Sequence, residues 1–182
     1  MKKTLFLVAI LGVVALPFTN AFAAGPISVG VEAGLVNTEV EELDNTWMAG
    51  VFMDFGLPML NFYVEPFLNY WSWSDEVGVG SSATDMTFSD WTVGGNLKMA
   101  IPTPSMVRPF VGAGVSAHVL KSEVDMGTVG TFDASDTKVG FQLGGGLSID
   151  AGESWSIIGQ SWYHIVEDFN QWSIRGGVAW SL

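Results

Sequence analysis

From residue 27 to residue 182, apolar side chains recur at every second position, the period of a strand with one apolar face. In the last segment Trp172, Ile174, Gly176, Val178, Trp180 and Leu182 share one face; Ser173, Arg175, Gly177, Ala179 and Ser181 share the other. Segment 27–36 repeats the pattern, with Ile27, Val29, Val31, Ala33 and Leu35 opposite Ser28, Gly30, Glu32 and Gly34. The alternation returns at 46–56, 61–73, 86–100, 108–120, 138–149 and 155–166. The pattern therefore predicts eight strands.

The connections alternate in length. Short turns fall near 56–58, 102–104 and 150–152, whereas longer polar loops occupy 37–45, 74–85 and 121–137, with a tighter hairpin near 167–171. With both termini on one side, the turns gather there and the loops gather on the other. This arrangement, an even strand count and about 9–11 residues per strand predict an all-β fold: an eight-stranded antiparallel up-and-down transmembrane β-barrel.

The charges within the strands test that expectation. Glu32, Asp54, Glu65, Asp90, Lys98, Arg108, Lys138 and Arg175 each take the parity opposite the more lipid-like row of their strand. Clearing one face is what lipid demands, since a Lys or Arg facing mid-bilayer costs about 2–4 kcal/mol. A soluble lipocalin-like barrel would place its charges outward instead. The rows are least clean at 61–73, where Tyr63, Phe67, Trp71 and Trp73 accompany Glu65, and at 155–166, where Ile158 and Trp162 accompany Gln160 and His164. Aromatic residues gather toward strand ends, as interfacial girdles require: Trp47, Trp71, Trp73, Phe88, Trp91, Phe169 and Trp172 at the loop side, and Phe55, Phe62, Trp155 and Trp180 at the turn side.

Composition narrows the function. Seven Lys+Arg face 19 Asp+Glu, which argues against nucleic acid as a partner. The absence of cysteine excludes a disulfide framework, a thiolate zinc site and a cysteine nucleophile. Residues 1–23 read as a cleaved signal peptide: Lys2 and Lys3, an apolar run from Leu5 to Phe18, then Ala21-Phe22-Ala23. Residues 24–182 then form the barrel domain of a protein exported to the bacterial outer membrane. The strand charges cancel, and most remaining acids fall in the external connections, among them Glu39, Glu41, Glu42, Asp44, Glu123, Asp125, Asp133 and Asp136. The expected molecule is a neutral barrel with an acidic outer crown, near which divalent cations bridge to lipopolysaccharide.

Three segments resemble the OmpA, OmpX and opacity-protein type of outer-membrane barrel. Arg108-Pro-Phe-Val-Gly-Ala-Gly-Val115 is similar to the family's fifth strand and Tyr63-Val-Glu-Pro-Phe-Leu-Asn-Tyr70 to its third. The C-terminus, Arg175-Gly-Gly-Val-Ala-Trp-Ser-Leu182, resembles the signal read by the barrel-assembly machinery, with Arg175, Gly177, Trp180 and Leu182 at the defining positions. Its terminal Leu stands where such proteins more often carry Phe. The resemblance implies outer-membrane lipid and lipopolysaccharide as surroundings and the assembly machinery as a partner during biogenesis. Many proteins of this type append a soluble peptidoglycan-binding domain after the barrel; with the chain stopping at Leu182, a cell-wall tether is not expected.

An eight-stranded lumen is narrow enough for side chains to fill. The eight strand charges, with Asn69, Asn96 and Gln142, suggest an interior ion-pair network, and Glu32 with Arg175 is its first candidate pair because the first and last strands meet on closure. The expectation is a polar plug; a small channel is the alternative. His118 and His164 fall near Ser116, Ser161, Glu123 and Asp168. That grouping raises a lipid A-modifying enzyme as a second alternative, but no GxSxG elbow supports it. No acidic cluster has calcium-loop spacing. No catalytic, cofactor or metal site is assigned. The reading is a non-enzymatic surface protein serving membrane integrity or adhesion, its loop ligand unspecified.

Overall fold

The computed structural model describes residues 27–39, 45–57, 61–77, 84–125, 130–167 and 170–182. The segment read as a signal peptide lies outside these residues, as do Glu41, Glu42, Asp44, Asp168 and Phe169. Eight strands follow in chain order: β1 (Ile27–Thr38), β2 (Thr46–Leu57), β3 (Phe62–Val77), β4 (Thr84–Ala100), β5 (Val107–Asp125), β6 (Thr131–Asp150), β7 (Trp155–Val166) and β8 (Gln171–Ser181). Each pairs antiparallel with the next, and β8 pairs with β1 to close the barrel.

The period-two pattern becomes two surfaces. Val31, Leu35, Val51, Leu97, Val111, Val115, Phe141, Leu143, Ile165 and Ile174 project outward and are exposed, as a lipid-facing band must be. Glu32, Asp54, Glu65, Asp90, Lys98 and Arg175 project inward and are buried. The two segments with mixed rows follow their charged or polar members inside. Phe67, Asn69 and Trp71 are buried with Glu65, and Ile158, Trp162 and His164 with Gln160.

Glycine makes room for these large inward groups. A Cβ on Gly144 would lie 2.6 Å from Trp162 Cδ2 and one on Gly112 2.9 Å from Trp162 Cη2, so the indole occupies space that only glycine leaves free. Gly30 receives the Phe52 ring and Gly50 the Asn69 amide in the same manner. The interior therefore packs in layers. One apolar layer joins Phe52, Phe67, Phe110, Ile158, Trp162 and Ala179. A second, nearer the loop end, joins Val36, Met48 and Trp71, with Trp73 and Phe88 packed against it.

Two expectations are corrected. Trp71, Trp73 and Phe88 belong to this inner layer and not to the loop-side girdle. They share parity with Glu65 and Asp90, and proximity to a strand end did not reveal that. Of the aromatics expected at the interfaces, Trp47, Trp91 and Trp172 are exposed at the loop side and Trp155 and Trp180 at the turn side, whereas Phe55 is buried. Secondly, strands reach well into 74–85 and 121–137, which were expected to be loops. β3 runs to Val77, β4 starts at Thr84, and β5 and β6 remain paired up to Asp125 opposite Thr131. These extensions lack an apolar outer row because they stand above the lipid, so the pattern used to recognise strands stops where the membrane stops.

The extension is lopsided. β3 to β6 hold 16, 17, 19 and 20 residues, against 11 or 12 in the other four strands. Eight extra residues are roughly 26 Å of strand. One side of the barrel thus carries a four-stranded sheet beyond the rim.

Candidate functional site

Two features of this barrel hold its chemistry: the charged interior and the projecting sheet. In the interior, strand closure brings Arg175 of β8 against Glu32 of β1, with Nη1 donating to Oε1 at 2.6 Å. Gln160 Nε2 donates to the other carboxylate oxygen at 2.5 Å, and Arg175 Nε donates to Ser173 Oγ at 3.1 Å. The Asn69 amide bridges the pair, its nitrogen 3.0 Å from Glu32 Oε1 and its oxygen 2.9 Å from Arg175 Nη1. Trp162 lies under the guanidinium at 5.9 Å. A buried ion pair is tolerable only with such additional hydrogen bonds, and here both partners have them.

A second group centres on Lys98. Its Nζ lies 2.7 Å from Asp54 Oδ1 and 2.5 Å from Glu65 Oε2. Asn96 Nδ2 donates to Glu65 Oε1 at 2.8 Å, and Gln142 Nε2 donates in turn to Asn96 Oδ1. The Phe110 and Phe52 rings face the ammonium at 4.9 and 5.6 Å. Phe52 and Phe67 separate this group from the Arg175 group along β2 and β3, each standing one inward position beyond Asp54 or Glu65.

The third group is Asp90, His118 and Ser116. His118 Nδ1 sits 2.7 Å from Asp90 Oδ2, Nε2 sits 3.0 Å from Ser116 Oγ, and Thr92 Oγ1 donates to Asp90 at 3.0 Å. The order acid–imidazole–hydroxyl matches a hydrolase triad, yet Asp90 and His118 are 0% exposed and Ser116 is 4% exposed. The three side chains are enclosed within the barrel and form an internal hydrogen-bond chain. Of the serines and acids considered around the histidines, Ser161 and Glu123 do not join it. Ser161 lies on the outward row of β7 and Glu123 on that of β5. Asp90, which sequence separation hid, is the acid that register delivers to His118.

Arg108 and Lys138 depart from the expected interior set. Arg108 is the second residue of β5 and pairs with Asp150 at the turn-end rim, with 42% and 47% of their side chains exposed. Lys138, a quarter exposed, lies 3.5 Å from Asp136 near the opposite rim. Four acids and four bases along the sequence are therefore not four enclosed pairs, because Arg108 and Lys138 sit toward the two rims of the barrel. The residues expected to form an assembly signal divide by parity. Arg175 is buried and Gly177 packs inward against Glu32, while Trp180 and Leu182 are exposed.

On the projecting sheet, the outward row carries Asp85, Lys121, Glu123, Asp125 and Asp133. Register sets Asp85 opposite Asp125 and Glu123 opposite Asp133. Above Gly140, β6 pairs only with β5 among the described strands, so its second edge is open from Thr131 to Thr137. Asp136 Oδ1 takes up the Thr137 N–H at 2.8 Å and blunts one position of that edge. Lower at the rim, Glu39 accepts from Tyr163 Oη at 2.6 Å and Asn170 Nδ2 at 3.1 Å. These two donors, Tyr163 first, hold its carboxyl below the usual range.

A closed eight-stranded barrel, apolar outside and charged within, matches a known family model over residues 5–181, that of the outer membrane protein beta-barrel domain. The chain belongs to that family. No curated protein matches it as a relative. Among solved structures, Neisserial surface protein A superposes with a TM-score of 0.63 at 16% identity, covering 85% of this chain and 96% of that one. Ail of Yersinia pestis, in complex with the heparin analogue sucrose octasulfate, gives 0.61 at 16% identity, with 87% and 97% covered. A major outer membrane protein from Thermus thermophilus gives 0.66 at 11% identity, with 86% and 99% covered. The chain is thus a bacterial outer-membrane β-barrel.

Proposed function

We propose that this outer-membrane barrel is a surface-contact protein, a rigid anchor that holds an acidic sheet outside the cell. The observation that carries the reading is the row of carboxylates Asp85, Asp125, Glu123 and Asp133, set directly opposite one another on paired strands. Like charges in that position destabilise a sheet. A basic partner surface relieves the repulsion, and the open β6 edge adds backbone groups for a second hold. The heparin analogue in the Ail complex is a polyanion. The acidic row here favours the opposite charge.

The test replaces Ser122–Ala134 with a two-residue turn and compares both proteins in liposomes for binding to a surface coated with a basic polypeptide. The expected outcome is binding that falls steeply with salt and disappears on trimming, while both barrels keep heat-modifiable gel migration. Equal binding by the trimmed protein would refute the proposal. Lipopolysaccharide bridged by divalent cations is the second partner the row supports. In that case chelation alters the accessibility of the sheet in native membranes.

The filled lumen supports a plug and not a pore, since two apolar layers lie across it. Planar-bilayer recordings of the folded monomer are expected to lack stable, large conductance. The C-terminal assembly signal is read before closure under this proposal, because Arg175 and Gly177 are enclosed afterwards.

A further inference from the structure

At the turn end, the strand ends and the turn at 151–154 enclose a cavity of about 280 Å³. Asp54 and Lys98 are its deepest charged groups, and both are buried. Arg108, Asp150 and Glu153 line its mouth, and Phe110, Trp155 and Ile158 contribute apolar wall. None of these groups takes part in the surface contact proposed above.

The charges do not balance at either level. Inside, the single ammonium of Lys98 serves two carboxylates, Asp54 at 2.7 Å and Glu65 at 2.5 Å. At the mouth, the Arg108 guanidinium is engaged by Asp150, while Glu153 adds a second acid. Each level thus holds one negative charge more than it holds positive. A buried charge in excess is costly unless a counter-charge reaches it, and this one borders a space open toward the periplasm. Aromatic and aliphatic walls favour a cation that carries carbon, because ring faces attract ammonium groups and apolar surface covers their alkyl chains. Among the described residues, no trio of acids or histidines converges as a bound metal ion requires.

We propose that this cavity binds a small organic ammonium ion from the periplasm, and that a linear diammonium fits it best. One ammonium lies by Asp54, the acid of the inner group that reaches the cavity, and the other by Glu153 and Asp150. The site requires no conformational change, since cavity and charges are already formed.

The experiment is calorimetric titration of the full chain, refolded in detergent micelles, with 1,4-butanediammonium, butylammonium and K⁺ at matched ionic strength. Saturable binding is expected for both organic ions, tightest for the diammonium, with none for K⁺. Asp54→Asn is expected to weaken both organic ions about tenfold. Glu153→Gln, an exposed substitution, is expected to weaken the diammonium alone, by about threefold. Gel migration reports whether Asp54→Asn folds; if it does not, Glu153→Gln decides. Heats no larger than those of K⁺ would overturn the proposal and assign the excess charge to a bound proton. A diammonium affinity unchanged by Glu153→Gln would overturn it as well.

Discussion

The outward row of β5 is apolar from Val111 to Val119 and then reads Lys121, Glu123 and Asp125, with no change of parity. β6 does the same, apolar from Ile149 up to Val139 and polar from Thr137 to Thr131. β4 is apolar from Met99 to Trp91 and polar from Ser89 to Asp85. Register places the β4 and β5 transitions together, Trp91 opposite Val119, and the β6 transition one outward position lower, since Thr137 lies opposite Val119. The same strands therefore meet two solvents. Below that height a side chain on this row is selected by lipid; above it, by water. The contrast locates the outer membrane boundary, and the exposed Trp91 sits there as an interfacial ring should.

Substitutions on either side of that height should differ sharply in cost. The largest effect lies within the membrane band. Arg175→Met leaves Glu32 buried without its cation and is expected to destabilise by about 3–5 kcal/mol in urea unfolding. Adding Glu32→Gln to Arg175→Met should recover most of that loss, because no charge is then stranded. Next is Val115→Lys on the lipid row, expected to cost about 2–4 kcal/mol, whereas Glu123→Lys, on the same row of β5, should stay within about 0.5 kcal/mol. Equal costs for these two would remove the boundary from between them.

Glu39 provides the smallest effect. Its carboxyl is held low in the folded protein by Tyr163 and Asn170, so its contribution is present above the ordinary carboxylate range. It is lost as pH falls through the lowered folded value. Amide exchange at Glu39, whose N–H donates to Asn170 O, should accelerate over that acid window, and Glu39→Gln should abolish the pH dependence.

The strands within lipid were legible because the bilayer imposes a hard rule, apolar outside at every second position, and β1, β2, β7 and β8 follow the expected spans closely. The upper parts of β3 to β6 were not legible. Water accepts polar side chains on both faces, so Thr131–Thr137 reads like a loop although it is paired throughout with β5. The candidate site was legible in part. Glu32 and Arg175 could be matched because closure makes the first and last strands neighbours. Asp90 and His118 could not be matched: they lie on neighbouring strands but not directly opposite, and only the stagger of β4 against β5 brings them together.

What the sequence determined by itself is the choice of face. Parity is a local property of an extended chain, and a charge in lipid is too costly to be overridden, so Glu32, Asp54, Glu65, Asp90, Lys98 and Arg175 had to point inward. What the tertiary structure decided is height and company. The stagger of the closed barrel fixes which inward groups share a level, and that gave Lys98 two acids, Arg175 one, and Arg108 a partner at the rim. No local pattern encodes these outcomes, because each depends on residues tens of positions away whose register is settled only when the last strand meets the first.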